Sequence, residues 1–281
     1  MSDLKICNQN LKYIIEPLLE SGKQMKITLT DNSEHYINAD EIFSDKFLDN
    51  KIEEIVFQKD TTLNMSLRNN FKAPNGNFLS SLFEKLTKIS YLNNDNGNKV
   101  KVKLVGNCSR LFHDNKEFNQ PLDSWDVSQV NNMESMFWRC LSFNQPLDNW
   151  DVRQVTNMNR MFIGCKKFNQ LLDNWNVGQV TNMTYMFCRC LSFNQPLNSW
   201  DVSRVMYMNC MFHSCENFNQ PLDNWDVSHV TKMSSMFHSC GNFNQLLNNW
   251  DVSQVTTMNN IFRYCKKFDH SLHNWECKSN K

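Results

Sequence analysis

Cysteine has the most reactive side chain in this sequence, and it recurs every 25 residues, at Cys140, Cys165, Cys190, Cys215, Cys240 and Cys265. If equivalent residues of successive repeats stack ~4.8 Å apart, as neighbouring strands do, these thiols come within reach of a disulfide bond or a shared metal ion. No histidine recurs beside them, however, and they share the apolar face of the repeated methionine and phenylalanine. We therefore predict that the thiols are buried in the core and hold neither a metal nor a cofactor.

Aspartate forms a second ladder with the same period, at Asp126, Asp151, Asp201, Asp226 and Asp251. Carboxylates a few ångströms apart repel one another unless hydrogen bonds or an ion hold them. Asn176 replaces the carboxylate in one repeat, which argues against an obligatory ion. We expect these side chains to brace or cap a turn; a calcium site and a binding surface are the alternatives.

A ladder of amides follows the repeated phenylalanine, as at Asn144, Asn169 and Asn194. Asparagine side chains often bond nearby backbone groups in turns. We predict bonds to the turn backbone of the same or the adjacent repeat, and recognition of a ligand by these amides is the alternative.

The positions that differ between repeats are better candidates for function than those that recur. Two variable residues lie between a recurring phenylalanine and the recurring cysteine that follows it, as Trp138 and Arg139 lie between Phe137 and Cys140. These variable residues should line one exposed strip. The candidate binding residues are Trp138, Arg139, Arg189, His213, His238, Arg263 and Tyr264. Mixed aromatic and basic side chains are typical of protein interfaces, although drift on a solvated face gives the same pattern. His213 and His238 lie one repeat apart, but no third metal ligand recurs near them.

Composition and motifs argue against two classes of function. The sequence contains no phosphate-binding loop, dinucleotide-binding glycine motif, nucleophile elbow or zinc-protease motif, so we predict no catalytic residues. Lys and Arg total 29 and Asp and Glu total 29, which leaves no net charge to attract nucleic acid. The expected partner is therefore a protein, whose identity the residues do not indicate.

A repeat of 25 residues, without a single insertion, must position all of these side chains. Phenylalanine recurs at Phe143, Phe168 and Phe193, and tryptophan at Trp150, Trp175 and Trp200, within longer series of the same period. A strict period of this length is typical of coils stacked in one direction, whose equivalent side chains share burial in ladders. We therefore predict an α/β repeat solenoid over residues 99–281.

Each repeat should combine a short strand with a short helical segment. Val155, Met158, Phe162 and Cys165 follow one another at steps of 3, 4 and 3 residues, which predicts one face of an α-helical or 3₁₀ segment. The segment FNQPLDNW, residues 143–150, is expected to contain the strand. The alternative puts the strand on the Trp-Asp-Val of residues 150–152, and the pattern does not decide between them.

Residues 1–98 lack the period and predict a small α/β region that caps the first coil. Helices are predicted over residues 11–19 and 78–92, and strands over 25–30 and 52–57. The first residues do not resemble a secretion signal, and no apolar run is long enough to span a membrane. No polar cap follows Trp275, so we expect the last coil to fray or to associate end to end with another copy.

The motif W-D-V-S-x-V-x-x-M-x-x-M-F-x-x-C-x-x-F-N-Q-x-L, present at residues 125–147 and in five further repeats, resembles the repeat of BspA-type leucine-rich-repeat proteins. It is more closely similar to the mycoplasma lipoprotein-like surface-protein repeat, which has no known function. The resemblance covers residues 99–275 and implies a curved, right-handed, leucine-rich-repeat-like solenoid that binds proteins, commonly on bacterial surfaces. Unlike the surface members, this sequence shows no signal peptide, lipobox cysteine or wall anchor, so we expect an intracellular or viral location.

These observations favour a non-enzymatic protein–protein interaction scaffold that binds through the variable positions. A surface adhesin or ligand-binding protein exported without a visible signal is the alternative. An enzyme with its site in residues 1–99 is the third and weakest hypothesis.

Overall fold

The structure, a computed structural model, describes residues 25–37, 51–57, 97–272 and 275. The chain forms two compact parts. The first contains residues 1–111 and 120–130, and the second contains residues 112–119 and 131–281. The helices predicted over 11–19 and 78–92 lie outside the described residues.

A five-stranded sheet forms the described core near the N-terminus, with the strand order β2-β1-β3-β4-β5. Its strands are β1 (Met25–Leu29), β2 (Glu34–Ile37), β3 (Ile52–Phe57), β4 (Lys101–Asn107) and β5 (Trp125–Asn132). Strand β1 pairs antiparallel with β2 and β3, whereas β3 pairs parallel with β4. The strands predicted over 25–30 and 52–57 are thus confirmed as β1 and β3.

Local chemistry explains the hairpin between β1 and β2. The Asp31 carboxylate accepts a hydrogen bond from the Ser33 N–H at 2.9 Å, and Asn32 adopts a φ of 66°. Asparagine tolerates this left-handed conformation better than most residues, because its short side chain bonds locally. The turn therefore reverses the chain without a glycine.

An ion pair between a buried lysine and a partly exposed aspartate lies in the same part of the chain. The Lys103 side chain on β4 is only 9% exposed, and its Nζ lies 2.8 Å from an Asp126 carboxylate oxygen on β5. A buried lysine is stabilised only when an anion compensates for lost hydration. Asp126 thus neutralises this lysine in addition to accepting a hydrogen bond from the Ser128 N–H.

In the second part the repeats stack in register. Isolated parallel bridges join residues 25 positions apart: Asn132 with Asn157, Asn157 with Asn182, Asn182 with Tyr207, Tyr207 with Lys232 and Lys232 with Thr257. Each repeat therefore occupies the same position relative to the next, and the sequence period becomes a spatial period.

Aromatic rings fill the interior of the stacked repeats. Phe143, Phe168 and Phe193 are fully buried, with ring centroids 5.8 and 6.0 Å apart and ring planes within 6° of parallel. Trp175 and Trp200 stack at 6.4 Å. Such offset pairs add about 0.5–1.5 kcal/mol each beyond the burial of their area. The predicted aromatic ladder is confirmed.

The expected position of the strand was wrong. Among the described residues, the FNQPLDNW segments contain no strand, and the bridges lie two residues after the second valine of each repeat. The alternative on Trp-Asp-Val holds only for β5. In the next repeat the Asp151 carboxylate accepts from the Arg153 N–H and the Val155 N–H donates to the Val152 carbonyl, so this segment turns instead of extending.

The expected helical segment was also wrong. Residues 159–164 form consecutive tight turns, because Arg160 and Gly164 have φ values of 59° and 73°, which no right-handed helix accommodates. The Phe162 N–H donates to Met186 of the next repeat, whereas the Cys165 N–H donates to Phe162 three residues earlier. Backbone bonds thus alternate between neighbouring repeats and local turns, and Met158, Phe162 and Cys165 still face the core.

The last repeat is less buried than the others. Phe262, Cys265 and Phe268 are half-buried, whereas their equivalents in the preceding repeat, Phe237, Cys240 and Phe243, are fully buried. The aromatic stack nevertheless continues through Phe262 and Phe268, whose ring centroids lie 4.0 Å apart.

Candidate interaction groove

The backbone places the variable residues by a repeated hydrogen bond. We call the two residues directly before the recurring cysteine of each repeat, such as Trp138 and Arg139 before Cys140, the variable turn. Its second residue is left-handed in every described repeat of the second part, with φ values between 58° and 73° at Arg139, Gly164, Arg189, Ser214, Ser239 and Tyr264. The Arg139 N–H donates to the Ile163 carbonyl at 2.7 Å, and the Arg189 N–H donates to the His213 carbonyl at 2.7 Å. This bond holds each variable turn against the next, so that their side chains form two parallel columns.

A groove with a volume of about 710 Å³ crosses the variable turns of four successive repeats. Trp138, Ile163, Cys188 and His213 form one column of its lining, and Arg139, Gly164 and Arg189 form the other. Leu141, Lys166, Tyr185, Cys210 and Ser235 complete the lining. The size is that of a site for a small molecule or for a few residues of a peptide.

The tryptophan is held by an aromatic neighbour. His113 packs its ring edge-to-face on Trp138, with centroids 4.6 Å apart and an interplanar angle of 83°. Trp138 is half-buried, so one part of its surface remains available inside the groove. Tryptophan and arginine in such partly buried positions are the residues most often found at binding hot spots.

Positive charge surrounds the groove. Arg139, Lys166 and Arg189 are exposed, and none of the residues described as lining the groove is acidic. Arg139 lies 3.3 Å from Asp114. Within the described residues, no carboxylate lies within ion-pair distance of Lys166 or Arg189. The groove therefore has an unbalanced positive potential, although the whole chain has equal numbers of acidic and basic residues.

Tyr185 and Cys210 form the side of the groove that the variable turns do not supply. The Arg160 guanidinium lies 5.5 Å from the centre of the Tyr185 ring, a cation–π distance. A hydrogen bond with Cys210 raises the pKa of Tyr185, and burial raises the pKa of Cys188 to about 12. These groups are therefore neutral near neutral pH, and the arginines and the lysine carry the charge.

Two histidines extend the strip beyond the groove. The rings of His213 and His238 are parallel within 7°, with centroids 4.6 Å apart, and each Nδ1 lies within 3.0 Å of the hydroxyl of the following serine. Burial, then the neighbouring His238 and Arg189, lowers the pKa of His213. Among the described residues no group of three His, Cys, Asp or Glu side chains could hold a metal ion.

The remaining candidate residues lie at a second, smaller depression. Tyr264 is 59% exposed and lines a volume of about 470 Å³ with Glu216, Lys266 and Lys267. Arg263 lies over the Tyr264 ring at 4.9 Å, and the His238 ring meets the same tyrosine edge-on at 5.2 Å. The seven candidate binding residues therefore divide between the groove (Trp138, Arg139, Arg189 and His213) and this depression (Tyr264, with Arg263 and His238 against it).

The recurring cysteines belong to the core. Cys140, Cys165 and Cys190 are fully buried and free, and each thiol donates to the carbonyl oxygen of a phenylalanine 28 residues earlier at 3.0 Å. Burial raises the pKa of Cys165 and Cys190 well above the usual value. These thiols are therefore protonated and poor nucleophiles, which fits the structural role expected of them.

The aspartate and asparagine ladders hold turns and join repeats. Asp201 accepts from the Ser203 N–H at 3.1 Å, and Asn176 accepts from the Gly178 N–H at 3.2 Å in the same way. The Asn144 side chain accepts from the Asn169 N–H, and Asn169 accepts from Asn194, both at 2.9 Å. The amide ladder thus bonds the backbone of the adjacent repeat, and the carboxylates brace their own turn.

Sequence comparison of the repeats missed Tyr185, Cys210 and Ser235 as groove residues. Tyr185 and Cys210 occupy the position five residues before the recurring cysteine. This position also varies between repeats, as Ser135, Arg160, Tyr185, Cys210, Ser235 and Asn260. All six have a left-handed φ between 54° and 60°. The same comparison of variable positions, extended by two residues, would have identified them.

The described part of the chain contains no helix that is both long and apolar enough to cross a membrane. The sequence profile of a family described as Mycoplasma protein of unknown function, DUF285, matches the chain in four overlapping segments: residues 50–170, 77–200, 142–236 and 189–281. We found no curated protein and no solved structure that matches the chain.

Proposed function

Since the chain belongs to the DUF285 family, whose function is unknown, we propose from its variable turns that it is a non-enzymatic scaffold that binds another protein. The observation that carries this proposal is the groove across four repeats, which half-buried Trp138 lines together with the exposed Arg139 and Arg189. Aromatic and arginine side chains around a concave surface are enriched in protein interfaces. The constant residues of each repeat, by contrast, are used up in the core and in turns.

The same proposal includes a solenoid architecture of the leucine-rich-repeat type with a right-handed coil. Parallel bridges at a constant interval of 25 residues and stacked phenylalanine rings support it. An experimental structure of the repeats tests the handedness, and a left-handed coil would contradict it.

A reducing, intracellular or viral environment forms part of the proposal. The described cysteines are free, and the recurring thiols each face a carbonyl oxygen of a neighbouring repeat instead of another sulfur. Cysteine-rich proteins of oxidising compartments normally pair their thiols. Mass determination of the natural protein after alkylation without reductant should show unpaired cysteines.

Affinity capture with two matched variants tests the scaffold function. The first variant replaces Trp138, His213, His238 and Tyr264 with alanine and should lose the captured protein. The second removes exposed apolar side chains elsewhere by using residues of other repeats: Leu171→Pro, Met206→Thr and Leu246→Pro. This control should capture the partner as the parent protein does.

Both variants should unfold within a few degrees of the parent protein, because all seven changed residues are half-buried or exposed. Equal capture by the parent protein and the first variant would refute the proposal that the variable turns form the binding surface.

A further inference from the structure

We infer that the groove binds an extended, acidic segment of a partner protein, with carboxylates on Arg139 and Arg189 and an apolar side chain over Gly164 between them. This inference rests on the proposed scaffold function and adds the chemistry of the partner.

Arg139 and Arg189 are exposed at the equivalent positions of the preceding and following repeats, but Gly164 carries no side chain. A Cβ atom there would lie 3.7 Å from the Arg139 side chain, which is ordinary contact. The column therefore lacks a side chain at this repeat, and we call this gap, whose floor is the buried Gly164 backbone with the Arg139 side chain against it, the notch. Ile163 and Cys188 lie beside it in the lining of the groove.

Arg139, Lys166 and Arg189 line the groove, and no acidic residue lines it among those described. The depression near Tyr264 differs, because Glu216 lies there beside Lys266 and Lys267. Guanidinium groups bind carboxylates through paired, charge-assisted hydrogen bonds. The groove is thus complementary to anions, and the depression is of mixed charge.

Arg139 and Arg189 are two repeats apart, which corresponds to about 10 Å at the usual separation of neighbouring strands. A polyproline-type extended chain advances about 3.1 Å per residue, so side chains three residues apart are separated by a similar distance. An acidic residue at each end of such a segment can reach both arginines, because side chains three residues apart lie on the same side of a chain with three residues per turn. An intervening apolar side chain is rotated by about a third of a turn and can contact the wall of the groove at Ile163 and the notch.

A polynucleotide is also anionic, but it fits the surface less well. Proteins that hold nucleic acid through phosphates typically use about 6–10 basic contacts, and the groove supplies three basic side chains. The apolar lining by Ile163, Leu141 and Trp138 suits a peptide with an apolar residue better than a phosphate backbone.

Fluorescence anisotropy with defined peptides tests the inference. The probe is a labelled, end-blocked peptide of nine residues with two glutamates three positions apart and leucine between them. Its controls are the same peptide with glutamine for both glutamates and with alanine for leucine. The full-length protein should bind the glutamate peptide at least about tenfold more tightly than the glutamine peptide, since the glutamine peptide lacks the two carboxylates that form charge-assisted contacts.

Variants of the protein identify the place of binding. The double variant Arg139→Gln with Arg189→Gln should bind the glutamate peptide at least about tenfold more weakly than the parent protein does, and its affinity for the glutamine peptide should be unchanged. Gly164→Tyr should block the notch and weaken both peptides, whereas Gly164→Ser should change binding little. Tyr264 and Ser214 show that the left-handed backbone at this position accepts both residues. Circular dichroism and the unfolding temperature establish that each variant is folded.

Three results would overturn the inference: equal affinity for the glutamate and glutamine peptides, unchanged binding by the double arginine variant, or displacement of the peptide by single-stranded oligonucleotide at lower concentration than by unlabelled peptide. If affinity capture depends on the variable turns while the glutamate peptide fails to bind, the scaffold function holds and the acidic partner is wrong. If capture does not depend on these turns, the scaffold function itself fails.

Discussion

The indole Nε1–H of Trp175 donates a hydrogen bond to the Leu147 carbonyl oxygen, 28 residues earlier, at 2.8 Å. The same bond joins Trp200 to Leu172, Trp225 to Leu197 and Trp250 to Leu222. Tryptophan is therefore needed at this position for a polar contact between repeats as well as for its apolar area. A phenylalanine could supply the apolar area but not the hydrogen bond.

Replacement of Trp175 by phenylalanine should lower the free energy of unfolding by about 1–3 kcal/mol, because a buried carbonyl loses its partner. Urea unfolding followed by circular dichroism measures the loss. Trp275→Phe is the matched control, since the Trp275 Nε1 has no hydrogen-bond partner within the described residues and the ring is half-buried. Equal losses for the two variants would show that the indole bond contributes nothing.

The buried thiols should make stability fall as the pH rises into the alkaline range. Burial raises the pKa of Cys165, Cys190 and Cys215, so above pH about 8.5 the unfolded chain releases protons that the folded protein retains. Each such thiol should contribute a decrease of about 1.4 kcal/mol per pH unit in the free energy of unfolding. Urea unfolding between about pH 7 and 10 measures the slope.

The variant Cys190→Ala should reduce that alkaline slope by the contribution of one proton. The same slope in the variant and the parent protein would mean that Cys190 ionises equally in the folded and unfolded states.

The turn after each tryptophan should depend on the side-chain oxygen and not on the charge. Asp201→Ala removes the acceptor of the Ser203 N–H and should cost about 1 kcal/mol in the free energy of unfolding. Asp201→Asn should cost much less, because Asn176 makes the same bond to Gly178. Chemical unfolding of the two variants at neutral pH compares them, and an equal cost would indicate that the carboxylate charge is what matters.

The stacked histidines should make the protein less stable in mild acid. Burial and the neighbouring His238 and Arg189 lower the pKa of His213, so as the pH falls below about 6.5 the unfolded chain takes up a proton more readily than the folded protein. The loss should stay below about 1 kcal/mol, because solvent screens the half-exposed ring.

His213→Gln should abolish this acid-dependent part, as measured by unfolding at about pH 5.5 and 7.5. The control is His229→Gln, an exposed histidine at a position where other repeats carry glutamine. A histidine-independent loss in acid would appear equally in both variants.

The sequence predicts the ladders well because they depend on the period alone. Phe143, Phe168 and Phe193 must coincide in space once the repeats stack in register, whatever path the backbone takes between them. The path itself is harder to predict: steps of 3, 4 and 3 residues between core side chains arise from consecutive turns as readily as from a helix. Of the left-handed residues in residues 159–164, only Gly164 has a residue type that indicates its conformation.

The groove was predictable in part. Variation between repeats indicates Trp138, Arg139, Arg189 and His213, since a residue that differs at a constant backbone position is free of the core. Tyr185 was not predicted as a groove residue, because it precedes Phe187 in the sequence, whereas the variable turn follows Phe187. Only the turns bring it to the same surface, and their left-handed residues, such as Arg160 and Tyr185 itself, are not of types that predict this conformation.

The bonds between repeats have constant sequence offsets, as in Phe162 N–H to Met186, Asn169 N–H to Asn144 and Trp175 to Leu147. A duplication or loss of 25 residues in the coding sequence preserves all of these offsets, whereas the insertion of a single amino acid breaks them for every pair that spans it. The length of such a chain can therefore change during evolution in steps of one whole repeat, and each added repeat brings a new variable turn on which selection can act.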